Sequence, residues 1–328
     1  MRILVLTTPD RHNGVYYFDR GLTNGLSRCN DVTLVKPQMS KLKSDELAWL
    51  HPDLVLLRWH KSLLRSTDLD GLRKLKKAGA TIGGWVSPFF PRALQVTSEQ
   101  RELHSDETLR QAAELLHFGL TWYGEEGVEA FFSPWRTKFN LPIFRMDPAA
   151  DTNFYVQTPA TKKIYDLCYI GGNVWNKLHA HHWLEKPLRL HPHVVCGKGW
   201  EDKGFNVADI EPKNERKIYA QTKVCPNLHI DACWKIRGMA VNQRLFQIPA
   251  CGAFQIVDNH PRIGEFFDPG DVVVAQSAED FAEKIEYYLS HPRSRLRMVE
   301  RAYRRVMSSH TFTQRAQTLR AFVKDLRS

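Results

Sequence analysis

Residues 242–258 read NQRLFQIPACGAFQIVD. Leu245, Phe246 and Ile248 are placed to pack inward from one helix, and the spacing predicts that helix over 240–248. Cys251-Gly252 closes it, since a glycine past the last turn accepts the left-handed conformation of a helix stop. Ala253 to Val257 then reads as a largely apolar strand of the kind covered on both faces. A helix that runs directly into a buried strand is half of a βαβ unit, so the class is α/β with a parallel sheet.

Working outward, the alternation recurs on both sides. Strands are predicted at 3–7, 31–35, 53–59, 80–86 and 119–123, with helices at 16–27, 69–78 and 107–118 between them. Residues 141–155 (LPIFRMDPAADTNFY) break the pattern with two prolines, two aspartates and an asparagine, and read as an interdomain linker. The alternation then restarts with strands at 166–170, 193–196, 227–230, 253–257 and 272–275. Helices at 278–289, 292–308 and 311–326 follow. The expected organisation is an N-terminal Rossmann-like domain over 1–145, a second over 155–310, and a terminal helix from 311 to 328.

Bulk properties agree with a folded, ordinary chain. Its 328 residues suit two α/β cores, and 43% hydrophobic with 25% charged residues excludes a disordered polymer. Lys and Arg total 46 against 36 acidic residues, a formal charge of +10 that favours anionic partners or simply solubility. The run Ile3-Leu4-Val5-Leu6 is too short for a signal peptide, and no apolar stretch is long enough to span a bilayer. The six cysteines have no CxxC spacing, so neither a zinc site nor a redox motif is expected, and a cytoplasmic chain with reduced thiols is the simplest reading.

Open parallel sheets bind ligands beyond the carboxyl ends of their strands. Five loops fall there. His12, Asn13 and Gly14 follow the first strand, and Ser87 follows the fourth; these are the acceptor-side candidates, with His12 the choice for a catalytic polar residue. Asn13-Gly14 reads equally well as a plain turn. Gly171 and Gly172, with Lys177 nearby, suit a close approach to an anion. Lys198 lies between Gly197 and Gly199 and beside Trp200, an arrangement that fits a phosphate and a base or an ordinary turn with a core tryptophan. Arg237, Asn242 and Arg244 lie near the start of the 240–248 helix, where amides and a guanidinium attract phosphate. His179, His181 and His182 fall on a helix with only His179 and His182 on one face, so they read as a solvated face rather than as ligands.

The segment from Val241 to Ala316 resembles the C-terminal half of the CgeB-like glycosyltransferases: NQRLFQIPACGAFQIVDN, EFFDPGDVVV, DFAEKIEYYLSHPRSR and HTFTQRA carry the likeness. Leu141 to Phe154 and Tyr169 to Gly172 match more faintly, and the first domain matches in layout alone. The resemblance implies a GT-B fold of two Rossmann-like domains facing across a cleft, with a nucleotide-sugar donor on the second domain and an acceptor on the first. It implies a terminal helix crossing back to the first domain. It also implies a metal-independent, retaining transfer with no cofactor beyond the donor. Arg244 carries over as a donor-phosphate or structural residue, with Gly171 and Lys177 flanking the diphosphate. Gln247 stands where relatives carry a glutamate that binds ribose hydroxyls, and Met239 where many carry a second glutamate. Pro249 is unusual within a helix and fits the first turn.

The acceptor stays open: a hydroxylated pyrimidine base in DNA, a saccharide, a lipid-linked sugar or a protein. The charge and the aromatics Trp59, Trp85, Phe89, Phe90 and Trp122 suit a nucleic-acid surface, and equally a core or cleft lining. Two other classes remain, a non-catalytic GT-B-fold binding protein and a nucleotide-sugar epimerase.

Overall fold

The computed structural model describes residues 1–6, 14–29, 32–35, 49–58, 69–86, 88–89, 106–158, 162–173, 179–230, 234, 236 and 238–328. They form two compact units: Met1–Asp147 with Thr313–Ser328, and Pro148–Phe312.

The first unit is built on six parallel strands: β1 (Arg2–Leu6), β2 (Thr33–Val35), β3 (Leu54–Arg58), β4 (Thr81–Trp85), β5 (Phe118–Thr121) and β6 (Ile143–Arg145). Their order is β2-β1-β3-β4-β5-β6. Helices α1 (Gly14–Ser27), α2 (Leu69–Lys77), α3 (Asp106–Leu115) and α4 (Glu125–Phe139) connect them. Ile3, Leu4, Leu54, Val55 and Phe118 are fully enclosed, as expected of strands covered on both faces.

Three expectations are corrected here. The helix predicted to reach 118 ends at Leu115, because His117 is bonded to β4: its N–H donates to Ile82 O (2.7 Å) and its Nδ1 accepts from Ile82 N (2.9 Å). Helix α4 went unread, with Pro134 in its interior. The segment read as linker contains β6, whose residues pair with β5 from Gly119↔Ile143 to Thr121↔Arg145. Helix α10 (Phe312–Arg327) packs in this unit, with Phe322 against Phe118 (5.2 Å) and Phe144 (4.7 Å). Trp85 and Trp122 pack with each other and with Phe18, and Phe89 packs on Trp135, so these aromatics line the unit's interior.

The second unit carries β7 (Tyr165–Ile170), β8 (His193–Cys196), β9 (Thr222–Asn227), β10 (Gln255–Asp258) and β11 (Val273–Ala275), all parallel, in the order β11-β10-β9-β7-β8. Helices α5 (His179–Leu190), α6 (Glu215–Ala220), α7 (Arg244–Ala250), α8 (Ala278–Ser290) and α9 (Pro292–Ser309) cover it. Successive strand residues feed opposite faces. Cys168, Cys225 and Val257 join one core layer with Leu245, Phe246 and Ile248 of α7. Leu167, Tyr169, Val224 and Ile256 join the other, with Leu184 and Leu188 of α5 and Phe281 and Ile285 of α8. Ser277 caps α8 by accepting the Asp280 N–H (3.2 Å).

The strand predicted at 227–230 lies earlier, at Thr222–Asn227, which moves Leu228 and His229 out of the sheet and past its carboxyl end. The helix predicted at 240–248 starts later, at Arg244. Asn242 sets that start, since its Oδ1 accepts the Leu245 N–H (3.1 Å) in the manner of a cap.

Candidate functional site

The strand order of the second sheet reverses at β7: β8 lies on one side, β9 and the later strands on the other. A switch of this kind leaves a crevice at the carboxyl ends of the two strands, here β7 and β9. The sequence sharpens it. Pro226 has no N–H, so β9 has no further donor for β7 after Val224. The β7–β9 ladder ends at the Leu167↔Val224 pair, while β9 stays with β10 as far as Asn227↔Val257.

Arg244 bridges this opening. Its guanidinium donates to Ile170 O at the end of β7 and to Leu228 O just past β9 (2.7 Å), and lies 5.1 Å over the Tyr169 ring. The side chain is 9% exposed, so it is a structural bolt across the switch as well as a candidate cation for a ligand. Asn242 supports the same carbonyl, donating to Leu228 O (3.2 Å). Gln247 is buried, and its amide donates to Gln243 Oε1 one turn back (3.3 Å). Pro249 sits in the last turn of α7, not the first, and its missing N–H deprives Leu245 O of a helical donor. Gln255 of β10 replaces it, with Nε2 donating to Leu245 O (3.0 Å).

The glycine loops pack on one another. Gly171 N–H donates to Cys196 O (2.7 Å) and Asn173 N–H to Lys198 O (2.8 Å). A Cβ on Gly171 would lie 2.3 Å from the Arg244 guanidinium, and one on Gly199, at φ +88°, 2.1 Å from Asn173 O. Gly171 therefore makes room for Arg244, and Gly172 continues the same loop. Lys198 is exposed. Trp200 is not free to stack on a base, because it is fully buried and its Nε1 donates to Gly171 O (2.8 Å). In the first unit Gly14 is the first residue of α1. His12, Asn13, Ser87, Lys177 and Arg237 lie outside the described residues, as do Trp59 and Phe90.

The structure adds a cluster that sequence reading passed over. Asp258, at the end of β10, is fully buried and accepts two hydrogen bonds from His229: from the backbone N–H (2.6 Å) and from Nδ1 (2.5 Å). Burial works against the carboxylate, but the His229 contacts outweigh it and hold the Asp258 pKa below the usual range. His260 lies against His229 with ring centroids 4.3 Å apart, and its Nδ1 accepts the Arg262 N–H (3.1 Å). Burial, reinforced by His229, pushes the His260 pKa down to about 3, so its ring is neutral at ordinary pH. His229 was hidden because 227–230 reads as a strand interior. A strand containing Pro226, running three residues earlier, exposes the Asp258–His229 pair as a feature of the ligand end of the sheet. Among the described residues no group of three or more His, Cys, Asp and Glu side chains is arranged to hold a metal ion, and no described helix is long and apolar enough to cross a membrane.

Comparison with known proteins bears out the resemblance. Residues 168–321 match the family model described as Glycosyl transferase-like. The spore protein CgeB of Bacillus subtilis is 24% identical over 157 residues, 46% of this chain and 44% of CgeB, so the chain aligns with less than half of that relative's length. Sucrose-phosphate synthase from Thermosynechococcus elongatus superposes with a TM-score of 0.62 at 12% identity, over 99% of this chain and 98% of that one. Anabaena HepE in complex with UDP and glucose superposes with a TM-score of 0.60 at 10% identity, over 99% and 100%. A glycosyltransferase from Rickettsia africae gives 0.62 at 10% identity, over 99% and 98%. The fold is GT-B, two Rossmann-like units with a helical C-terminus.

Proposed function

We propose that this chain is a glycosyltransferase that moves a sugar from a nucleotide-sugar donor to an acceptor hydroxyl, with the donor held at the carboxyl end of the second sheet. One observation carries the reading. Within the segment that matches the glycosyl transferase-like model, the β7–β9 switch opens at Pro226 and is bridged by the cationic Arg244. A guanidinium there places positive charge where a diphosphate leaves in the reaction. In that reaction the bond from the sugar's anomeric carbon to the diphosphate breaks and a bond to the acceptor oxygen forms. In a retaining, metal-independent course the departing phosphate takes the acceptor's proton. Arg244 serves as bolt and as phosphate contact. Gly171, Gly172, Lys198, Asn242 and Gln247 remain the further donor-side candidates, with Lys177 and Arg237 as phosphate candidates. His12, Asn13, Gly14 and Ser87 remain the acceptor-side candidates on the first unit. The complexes of HepE with UDP and with UDP-glucose, on the same fold, support a nucleotide sugar as donor. The +10 charge suits saccharide acceptors bearing phosphate and DNA alike, and a saccharide is the reading carried forward.

A thermal-shift screen of UDP-, GDP-, ADP- and TDP-sugars tests the proposal. A ligand at 100 times its Kd adds ~2.7 kcal/mol to apparent stability, so one donor class raises Tm clearly. No shift with any class contradicts it.

A further inference from the structure

We propose that His229, fixed by Asp258, is the hydrogen-bond acceptor for a hydroxyl of the bound nucleotide sugar, on its ribose or on its glycosyl group. The inference rests on the donor site proposed above and adds to it a residue that no comparison assigns.

The geometry sets the chemistry of each imidazole nitrogen. Asp258 accepts from His229 Nδ1 at 2.5 Å, so that nitrogen carries a proton, and in the neutral ring Nε2 presents a lone pair. The backbone N–H of His229 donates to the other Asp258 oxygen, so the ring is held at two points from one carboxylate. His229 is 1% exposed and Asp258 fully buried, and Nε2 meets no hydrogen-bond donor among the described residues. A buried acceptor without a donor costs roughly 1–3 kcal/mol, and folded proteins rarely keep one without a use. Its place is the use: His229 lies two residues past the end of β9, at the same switch point that Arg244 bridges. The neighbouring His260 ring accepts the Arg262 N–H at Nδ1, so its own proton sits on Nε2, and that nitrogen makes no hydrogen bond to His229 Nε2. A bare phosphate oxygen has no proton to give this lone pair. A hydroxyl has one, and a nucleotide sugar carries hydroxyls on both its pentose and its transferred sugar.

The test is calorimetric titration of the full chain with UDP, GDP and ADP, with the 2′-deoxy and 3′-deoxy forms of whichever binds, and with the matching nucleotide sugar and its deoxy-sugar analogues. His229→Asn keeps a donor to Asp258 and removes Nε2; His229→Gln returns a polar atom near the Nε2 position. Wild type is expected to lose tenfold or more in affinity on removal of one hydroxyl. His229→Asn should bind the parent ligand about tenfold more weakly and discriminate less than twofold, with His229→Gln recovering part of the discrimination. The arm in which discrimination appears, pentose or transferred sugar, identifies the hydroxyl. Asp258→Asn should shrink the same ratio, which a merely structural role would leave unchanged because parent and deoxy ligands would weaken together. Wild-type discrimination retained in His229→Asn overturns the inference while leaving the donor site standing. Failure of wild type to bind any nucleotide overturns the donor site and this inference with it.

Discussion

Replacing Arg244 with methionine removes every donor of the side chain while keeping most of its stem. Ile170 O then loses the guanidinium, whereas Leu228 O keeps the Asn242 amide at 3.2 Å. Leaving one buried carbonyl unsatisfied costs ~1–3 kcal/mol. The contact with the Tyr169 ring, centred 5.1 Å away, adds roughly 0.5–2 kcal/mol in a largely desolvated setting. The expected loss is therefore about 2–4 kcal/mol, concentrated where β7 and β9 part. Hydrogen exchange read by mass spectrometry suits a two-unit chain better than a single unfolding midpoint, because local opening is resolved peptide by peptide. Peptides covering 165–172 and 222–229 should exchange on the order of thirtyfold to a thousandfold faster, at about 1.4 kcal/mol per decade, while the β1 and β3 peptides of the other unit stay unchanged. Arg244→Lys should fall between the two, since an ammonium reaches one carbonyl and lacks the planar fork. If Arg244→Met abolished nucleotide binding with no change in exchange at β7 and β9, the bolt would be refuted and Arg244 would be a ligand contact alone.

Gly199→Ala forces a Cβ to within 2.1 Å of Asn173 O at φ +88°, and should lower the unfolding free energy of the second unit, read by chemical denaturation, by ~2 kcal/mol or more; an unchanged unfolding free energy would refute the loop packing. Gln255→Ala orphans Leu245 O and should cost ~1–3 kcal/mol, but Pro249→Ala restores a helical N–H for that carbonyl; a double-mutant cycle should therefore show about 1 kcal/mol of coupling, and strict additivity would contradict the pairing. The depressed His260 pKa, about 3, gives a signed pH dependence: between the unfolded value near 6.5 and that value the unfolded chain binds the extra proton, so stability falls as pH falls, by up to ~1.4 kcal/mol per pH unit. His260→Asn should flatten that slope in urea titrations from pH 6.5 to 4, and an unaltered slope would refute the assignment.

The fold was legible because periodicity reports burial directly. The run at 253–257, the apolar strands of the first unit and the final helices all appear close to where their patterns place them. Misplacements occurred where a tertiary contact overrides local propensity. Pro226 disfavours a strand at its position, yet β9 tolerates it by giving up pairing with β7 at that point. Pro249 is unusual inside a helix yet sits within the last turn of α7, because Gln255 supplies the missing bond from another strand. Ile143–Arg145, flanked by Pro142 and Pro148, is three residues long and gains its identity from β5. The site was half legible. Arg244 was visible as an arginine near the start of the predicted 240–248 helix, but its two carbonyl partners come from positions 74 and 16 residues away, which no local pattern discloses. His229 and Asp258 were invisible for the same reason: they are 29 residues apart and meet through strand order.

The central claim is that the second unit holds a nucleotide sugar for transfer. It is tested most directly by incubating the chain with nucleotide sugars and a pool of saccharide acceptors, then quantifying nucleoside diphosphate release and sugar incorporation together by mass spectrometry. Both products are expected in equal amounts from one donor class, and both should be lost in Arg244→Met. Donor binding without either product would show a binding protein on the GT-B fold, and would contradict the claim.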